Sequence, residues 1–155
     1  MIDGLTFLSQ ATQHWRYEMS NDMQGKIVFF LLNYLALEGA KEHFGKALPP
    51  DNEAINKLYK RLKEIGFPGE WDNAQRCFDY TGVGNTGASN VERCWNALRI
   101  IRNNLFHANK AVIRDDPDRL NNLLDWSRLF IEELMNDAAL GSQAREIKST
   151  LYILV

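Results

Sequence analysis

Helical periodicity is the feature that most constrains how this chain can fold. Apolar residues recur every three or four positions through its long segments, and no segment alternates apolar and polar residues as a half-buried strand does. In the segment 51–65, apolar side chains stand at Ile55, Leu58, Leu62 and Ile65. The pattern predicts an all-α fold, a bundle of four to five helices plus shorter helices. A chain of 155 residues fits a single helical domain, 1–155.

Capping and helix-breaking residues set the predicted helix boundaries. Pro49 and Pro50 should end the second helix, because proline cannot continue a helix. Asp51 is placed to cap the third helix, and the spacing of Ser89 and Glu92 is that of a capping box at the start of a later one. Helices are expected over 5–17, 22–44, 51–65, 89–107, 117–136 and 144–155, with 70–80 either a short helix or irregular and 151–155 either helix or extended tail.

Charge and hydropathy narrow the class of protein. The formal net charge is −2, so an anionic partner would have to be attracted by a local basic patch. The apolar run Ile27–Leu37 is only 11 residues long, whereas a membrane span needs about 20. The first ten residues lack the pattern of a secretion signal, and Cys77 and Cys94 lie far apart, as expected of free thiols. We expect a soluble cytoplasmic protein with no membrane partner.

A glycine-rich segment matches a nucleotide-binding pattern by spacing alone. Gly82, Gly84 and Gly87 form G-x-G-x-x-G before a helix. A dinucleotide site also needs a buried strand before the glycines and an acidic residue about 20 positions after them. Arg76–Tyr80 makes a poor strand. The residue about 20 positions after the glycines is Asn103 or Asn104, and neither is acidic. The pattern therefore favours a loop with turn glycines, which leaves contact with a phosphate as a weaker alternative.

The remaining polar residues give no sign of a metal or cofactor site. His14, His43 and His107 lack metal-ligand spacing with one another or with the cysteines. His14 and His43 are expected at the surface or at its boundary. The pair Glu132-Glu133 is more typical of a solvated helix face than of an acid–base pair. No cofactor is predicted.

The segment Arg102–His107 is the stronger candidate for chemistry. On a helix beginning at Ser89, with about 100° per residue, a core-facing stripe would contain Arg102. Asn103 and His107 lie four residues apart on another face. The stripe consists of Val91, Cys94, Trp95, Leu98, Ile101 and Leu105.

A guanidinium in an apolar stripe is costly without partners, so Arg102 needs an explanation. It lies about 140° from His107 on an ideal helix. The two could converge through the length of the arginine, a distorted helix end or a second subunit. Alternatively, Arg102 pairs with a buried carboxylate and His107 merely ends the helix, where a cation suits the helix dipole.

The same part of the chain is locally basic. Five positive residues and no acidic residue occur between positions 93 and 114, a plausible contact for a phosphate backbone. Arg99, Lys110 and Arg114 are the candidate residues for binding such a phosphate backbone outside the Arg102–His107 segment.

This segment, Ile101-Arg102-Asn103-Asn104-Leu105-Phe106-His107 after an amphipathic helix, resembles the signature of the HEPN superfamily. That signature is an arginine, commonly followed by a polar residue, with a histidine a few residues later. Arg102, Asn103 and His107 match these three positions. The resemblance covers most of the chain in architecture and only this segment in sequence.

The resemblance implies a helical bundle that forms a homodimer and brings two motifs into one cleft. Many HEPN proteins are metal-independent ribonucleases of toxin–antitoxin, phage-defence or RNA-processing systems, while others have lost activity. RNA cleavage by attack of the 2′-hydroxyl would then use His107 as general base, Arg102 to stabilise charge and Asn103 to orient the phosphate or His107. The alternative is a non-catalytic HEPN module for dimerisation or for binding nucleotide or RNA.

An antitoxin protein is a further candidate partner. Some HEPN toxins carry a tyrosine two residues after the histidine, which a nucleotidyltransferase antitoxin modifies. In this chain the position is Asn109, so that mode of control is not expected.

Overall fold

The computed structural model describes residues 21–65, 88–106 and 117–153. All regular structure in these ranges is helical, which confirms the all-α prediction. The predicted helix 5–17, the segment 70–80 and the glycines of 82–87 lie outside the described residues. The helices are α1 (Asn21–Glu38), continued by a π-helical turn (Gly39–His43), α2 (Glu53–Ile65), α3 (Asn90–Phe106), α4 (Pro117–Met135) and α5 (Leu140–Ile153).

The chain divides into two compact units. The first comprises 1–47 and 134–155, and the second comprises 48–133. Helices α1 and α5 belong to the first unit, whereas α2, α3 and all but the last two residues of α4 belong to the second. The single domain expected from chain length stays a prediction.

The core of the first unit is the apolar middle of α1. Ile27, Phe30, Leu31 and Leu37 are each 1% exposed or less, as expected for a helix packed on several sides. Buried Asn33 donates its amide to the carbonyl of Phe29 at 2.7 Å, which satisfies the amide within the helix. None of the described helices combines the length and the apolarity that a bilayer span requires.

The helical segment that begins with α1 ends before Pro49 and Pro50 are reached. Its last turn is a π-helix that ends at His43, and Gly45 then has a φ of 66°. Glycine adopts this left-handed conformation readily, and the backbone N–H of Lys46 donates to the carbonyl of Ala40 at 3.0 Å. The predicted end at about Phe44 is confirmed to within one residue, but Gly45 ends the helical segment before Pro49 and Pro50 are reached.

The turn before α5 was also missed by the sequence analysis, which began this helix at Ala144. Asp137 caps the helix instead, because its carboxylate accepts the backbone N–H of Leu140 at 2.8 Å. Gly141 is required there, since a Cβ atom at this position would lie 2.1 Å from the carbonyl oxygen of Met135. The helix continues to Ile153, which decides between helix and extended tail for 151–153.

In the second unit, α2 and α3 pack side by side and α4 is tied to α2. The indole N–H of buried Trp126 donates to the carbonyl of Leu58 at 2.8 Å. The cap of α2 differs from the prediction, because Asn52 rather than Asp51 accepts the backbone N–H of Ile55, at 2.8 Å. Helix α2 presents an apolar face to the interior of this unit, and Ile55, Tyr59 and Leu62 on that face are buried.

Candidate functional site

Helix α3 begins with the capping box that the sequence predicted. Ser89 Oγ accepts the backbone N–H of Glu92 at 3.3 Å, and the Glu92 carboxylate accepts the backbone N–H of Ser89 at 2.9 Å. These reciprocal bonds confirm the capping box. They fix the first turn of the helix whose other end carries the Arg102 motif.

Asp51 is the residue that adds tertiary contacts to this helix start. Its two carboxylate oxygens accept the backbone N–H groups of Asn90 at 3.0 Å and Val91 at 2.8 Å. A carboxylate at a helix N-terminus also interacts favourably with the helix dipole. The side chain of Asn90 donates to Asn56 Oδ1 of α2 at 2.8 Å, so α2 and α3 are joined where both begin. Sequence reasoning missed this role because Asp51 lies far from Val91 in the chain.

Burial along α3 confirms the predicted core-facing stripe. All six of its apolar members are buried: Val91, Cys94, Trp95, Leu98, Ile101 and Leu105. Arg102 lies within that stripe between Leu98 and Leu105, as expected, and is half-buried. Its Nε atom is shielded from solvent, and the residue interacts with its surroundings. Arg102 is therefore not sealed in the core of the chain.

A second face of α3 is polar and open to solvent. Arg99 and Asn103 lie four residues apart and are both exposed. The guanidinium of Arg99 makes a long contact of 3.5 Å with Asn96 Oδ1, one turn earlier on the same helix. The structure thus places Arg99 and Asn103 together on one face and Arg102 at its border with the core.

Three of the predicted site residues cannot be placed. His107 follows directly after the last residue of α3 in the sequence, and His107, Lys110 and Arg114 all lie outside the described residues. His14 and Cys77 do so as well. The expectation that His43 lies at the surface is confirmed, since it is exposed.

The charges of α3 are distributed unevenly. Glu92 is its only acidic residue and is used in the capping box, whereas Arg93, Arg99 and Arg102 follow it. Helix α4, in contrast, has four acidic residues and two arginines. The end of α3 that carries the motif is therefore positively charged in a protein whose net charge is −2.

Cys94 is a structural residue of this helix and not a candidate nucleophile. Burial raises the pKa of its thiol from 9.0 to about 12, and the nearby negative charge of Asp51 acts in the same direction. The thiol therefore stays protonated near neutral pH, and a protonated thiol is a poor nucleophile and a poor metal ligand. Across the described ranges, no group of three or more His, Cys, Asp or Glu side chains is arranged to hold a metal ion.

One cluster on the α2–α3 contact was not anticipated. Arg93 Nη1 donates to the hydroxyl of buried Tyr59 at 3.2 Å, and the Arg93 guanidinium lies 5.4 Å from the centre of the tyrosine ring. The ammonium of Lys63 lies 4.8 Å from the same ring centre. A signal was present in the sequence, because the segment 56–63 contains four basic residues, but the predictions used only its apolar positions.

No family model, curated protein or solved structure matches this chain significantly. The resemblance to the HEPN superfamily therefore rests on Arg102, Asn103 and His107 and on the all-α architecture. Function has to be argued from these residues and their surroundings.

Proposed function

We propose that the protein is a metal-independent endoribonuclease of HEPN type, with its site at the C-terminal end of α3. The observation that carries the proposal is the position of Arg102. It lies within the buried stripe of the helix, yet it is half-buried and adjoins the exposed face of Arg99 and Asn103. A half-buried guanidinium keeps part of its surface open to solvent, where an anion can approach it.

The chemistry of a guanidinium suits the transition state of RNA cleavage. It stays protonated at all relevant pH values and presents several donors in a planar fork that matches phosphate oxygens. Charge develops on the phosphoryl oxygens during the reaction, and a donor already in place stabilises that charge without reorganisation. This is the role we assign to Arg102.

Proton transfer is assigned to His107, the residue that follows α3 in the sequence. An imidazole with a pKa near 6.5 can accept a proton at neutral pH. His107 would take the proton of a ribose 2′-hydroxyl, whose oxygen forms a bond to the adjacent phosphorus. The bond from phosphorus to the 5′-oxygen then breaks, which leaves a 2′,3′-cyclic phosphate and a 5′-hydroxyl.

A second copy of the chain completes this scheme. The leaving 5′-oxygen needs a proton, and His107 of the partner subunit would supply it as imidazolium. On an ideal helix Arg102 and His107 point about 140° apart, so residues from two copies could meet more readily than those of one. We therefore propose a homodimer whose interface includes α3, with Asn103 orienting the phosphate or the imidazole. RNA is the proposed substrate, and an antitoxin protein stays a candidate partner.

The test is cleavage of RNA by the purified protein in excess chelator. The proposal predicts products with 2′,3′-cyclic phosphate and 5′-hydroxyl ends, identified by mass spectrometry. Single-stranded DNA and 2′-O-methyl RNA of the same sequence should resist cleavage, because both lack the nucleophile. Sedimentation at micromolar protein concentration should show a dimer.

Two results would decide against the enzyme. Activity that disappears with chelator, or that also cuts DNA, would contradict attack by the 2′-hydroxyl without a metal. Binding of RNA without any cleavage would favour the non-catalytic binding module.

A further inference from the structure

A basic surface lies on α2, away from the Arg102 motif, and the proposed reaction does not use it. The helix has four basic and two acidic residues. Lys57 forms an ion pair with Glu53 at 2.9 Å, so one basic and one acidic residue of the helix neutralise each other. Lys60, Arg61 and Lys63 are exposed, and none of them makes an ion pair within the described part of the chain.

The packing of α2 on α3 adds a further cation to this surface. The Lys63 ammonium and the Arg93 guanidinium both contact the Tyr59 ring, at 4.8 Å and 5.4 Å from its centre. The charged groups are therefore at most about 10 Å apart, close to the Debye length of about 8 Å at physiological ionic strength. Two like charges at this distance repel each other weakly, and a phosphate backbone that contacts both groups would reduce this repulsion.

The two helices also give this surface a direction. Asn56 of α2 meets Asn90 of α3, and one turn later Tyr59 meets Arg93. Along this contact α2 and α3 therefore run in the same direction from their N-terminal ends. The basic surface follows α3 from its cap on the side of Arg93, whereas Arg102 lies nine residues after Arg93 and about 180° from it on an ideal helix.

We propose that Lys60, Lys63 and Arg93 form a phosphate-binding track that holds single-stranded RNA on the α2–α3 face. The choice of RNA as the ligand rests on the proposed function, while the track itself rests on the packing of α2 against α3. Cations bind a phosphate backbone without regard to sequence and release counterions as they do so. The track thus contributes affinity, and the chemistry is proposed for the α3 motif.

Binding can be measured separately from cleavage with a fluorescent single-stranded 2′-O-methyl RNA. This ligand carries the phosphate backbone but cannot undergo 2′-hydroxyl attack. Its affinity for the full chain is determined by fluorescence anisotropy across a salt titration. The key variant is Lys60→Gln/Lys63→Gln, in which two exposed positive charges are removed from α2 and the Tyr59–Arg93 hydrogen bond is left in place.

Two matched variants control for net charge and for fold. Lys46→Gln/Lys148→Gln removes the same charge from the first unit and should bind as the wild type does. Lys60→Arg/Lys63→Arg keeps both charges in place and should retain the affinity that the glutamine variant loses. Circular dichroism melting of all variants shows whether each remains folded.

The expected result is a several-fold weaker Kd at low salt for Lys60→Gln/Lys63→Gln, with a smaller salt dependence. Each phosphate contact with a single strand contributes about 0.7 to the slope of log K against log salt, so two lost contacts reduce its magnitude by about 1.4. Equal affinity and slope in the glutamine variant and the wild type would overturn the track, and an acidic protein would become the occupant to test.

The outcome is separable from that of the cleavage assay. If the wild type does not cut RNA but the glutamine variant binds 2′-O-methyl RNA more weakly, the track stands and the ribonuclease proposal falls. If the wild type cuts RNA and both proteins bind equally, the track falls and the ribonuclease proposal stands.

Discussion

Both ends of α3 carry polar side chains, but the two ends use them differently. At the N-terminal end, the side chains of Asp51, Ser89 and Glu92 accept backbone N–H groups of the helix start or of its cap. At the C-terminal end, Arg102 borders the core and Asn103 is exposed to solvent. The comparison separates a structural end, where substitutions should change stability, from the end proposed to carry the chemistry (the chemical end), where they should change reactivity.

The largest effect is expected at the chemical end. His107→Ala should reduce the rate of RNA cleavage about 10²–10⁴-fold, because a positioned acid–base group contributes that much. Arg102→Lys keeps the charge and much of the half-buried stem but loses the planar fork, and it should cost up to about 10²–10³-fold. Single-turnover kinetics measure both.

Exposed His43 provides the matched control for this first prediction. His43→Ala should cleave RNA at the wild-type rate, and all three variants should melt within a few degrees of the wild type. Cleavage by His107→Ala at the wild-type rate would contradict the assignment of proton transfer to His107, and the C-terminal end of α3 would then no longer be the chemical end.

A smaller effect, on stability alone, is expected at the structural end. Asp51→Ala removes the acceptor for two backbone N–H groups of α3 and should lower the free energy of unfolding by about 2 kcal/mol. Denaturant titration measures this change. Asn52→Ala, which removes the cap of α2, is the matched variant and should cost about 1 kcal/mol.

Cleavage by the Asp51→Ala protein sharpens the comparison. Below its melting temperature it should keep the wild-type rate at saturating RNA. A variant as stable as the wild type, or one that is fully folded and inactive, would show that the two ends of α3 are not separate in this way.

The smallest effect concerns Cys94, in the middle of the same helix. Its pKa is raised from 9.0 to about 12 in the folded chain, so above pH 9 the unfolded chain loses this proton first. The unfolded state then binds fewer protons, and stability falls as pH rises through this window. Between pH 9 and 10 this single group should lower the free energy of unfolding by about 1 kcal/mol.

Comparison of the wild type with Cys94→Ala isolates the thiol from other groups that titrate in this range. The alanine variant is expected to be less stable at pH 8, because it leaves a small cavity, but its stability should fall less steeply between pH 9 and 10. Denaturant titrations at pH 8, 9 and 10 measure both slopes. Parallel slopes would contradict the burial of Cys94.

Local patterns allowed much of α3 to be predicted. The capping box at Ser89 and the buried stripe depend only on neighbours three or four residues away, and both are confirmed. The same reasoning placed Arg102 within the stripe and Asn103 on a different face, where it is exposed. Such features follow from helical geometry once the start of the helix is known.

Features that depend on distant partners could not be predicted in this way. Asp51 stands directly before a helix and reads as its cap, but its carboxylate bonds to Asn90 and Val91. The cluster around Tyr59 likewise forms only when α2 and α3 pack together. Convergence of Arg102 with His107 stays a prediction, since His107 lies outside the described ranges.

The Asp51 contact has a consequence for how the chain folds. The capping box can form within a single turn, whereas the Asp51 bonds join residues 39 and 40 positions apart and require α2 and α3 to be docked. A helix of 17 residues is marginally stable in isolation, so tertiary docking supplies much of what keeps it formed. Closing so long a stretch of chain is entropically costly before its contacts are made, and it slows folding relative to local contacts. We therefore expect a briefly populated α3, capped by Ser89, to form first and to be captured when Asp51 reaches its first turn.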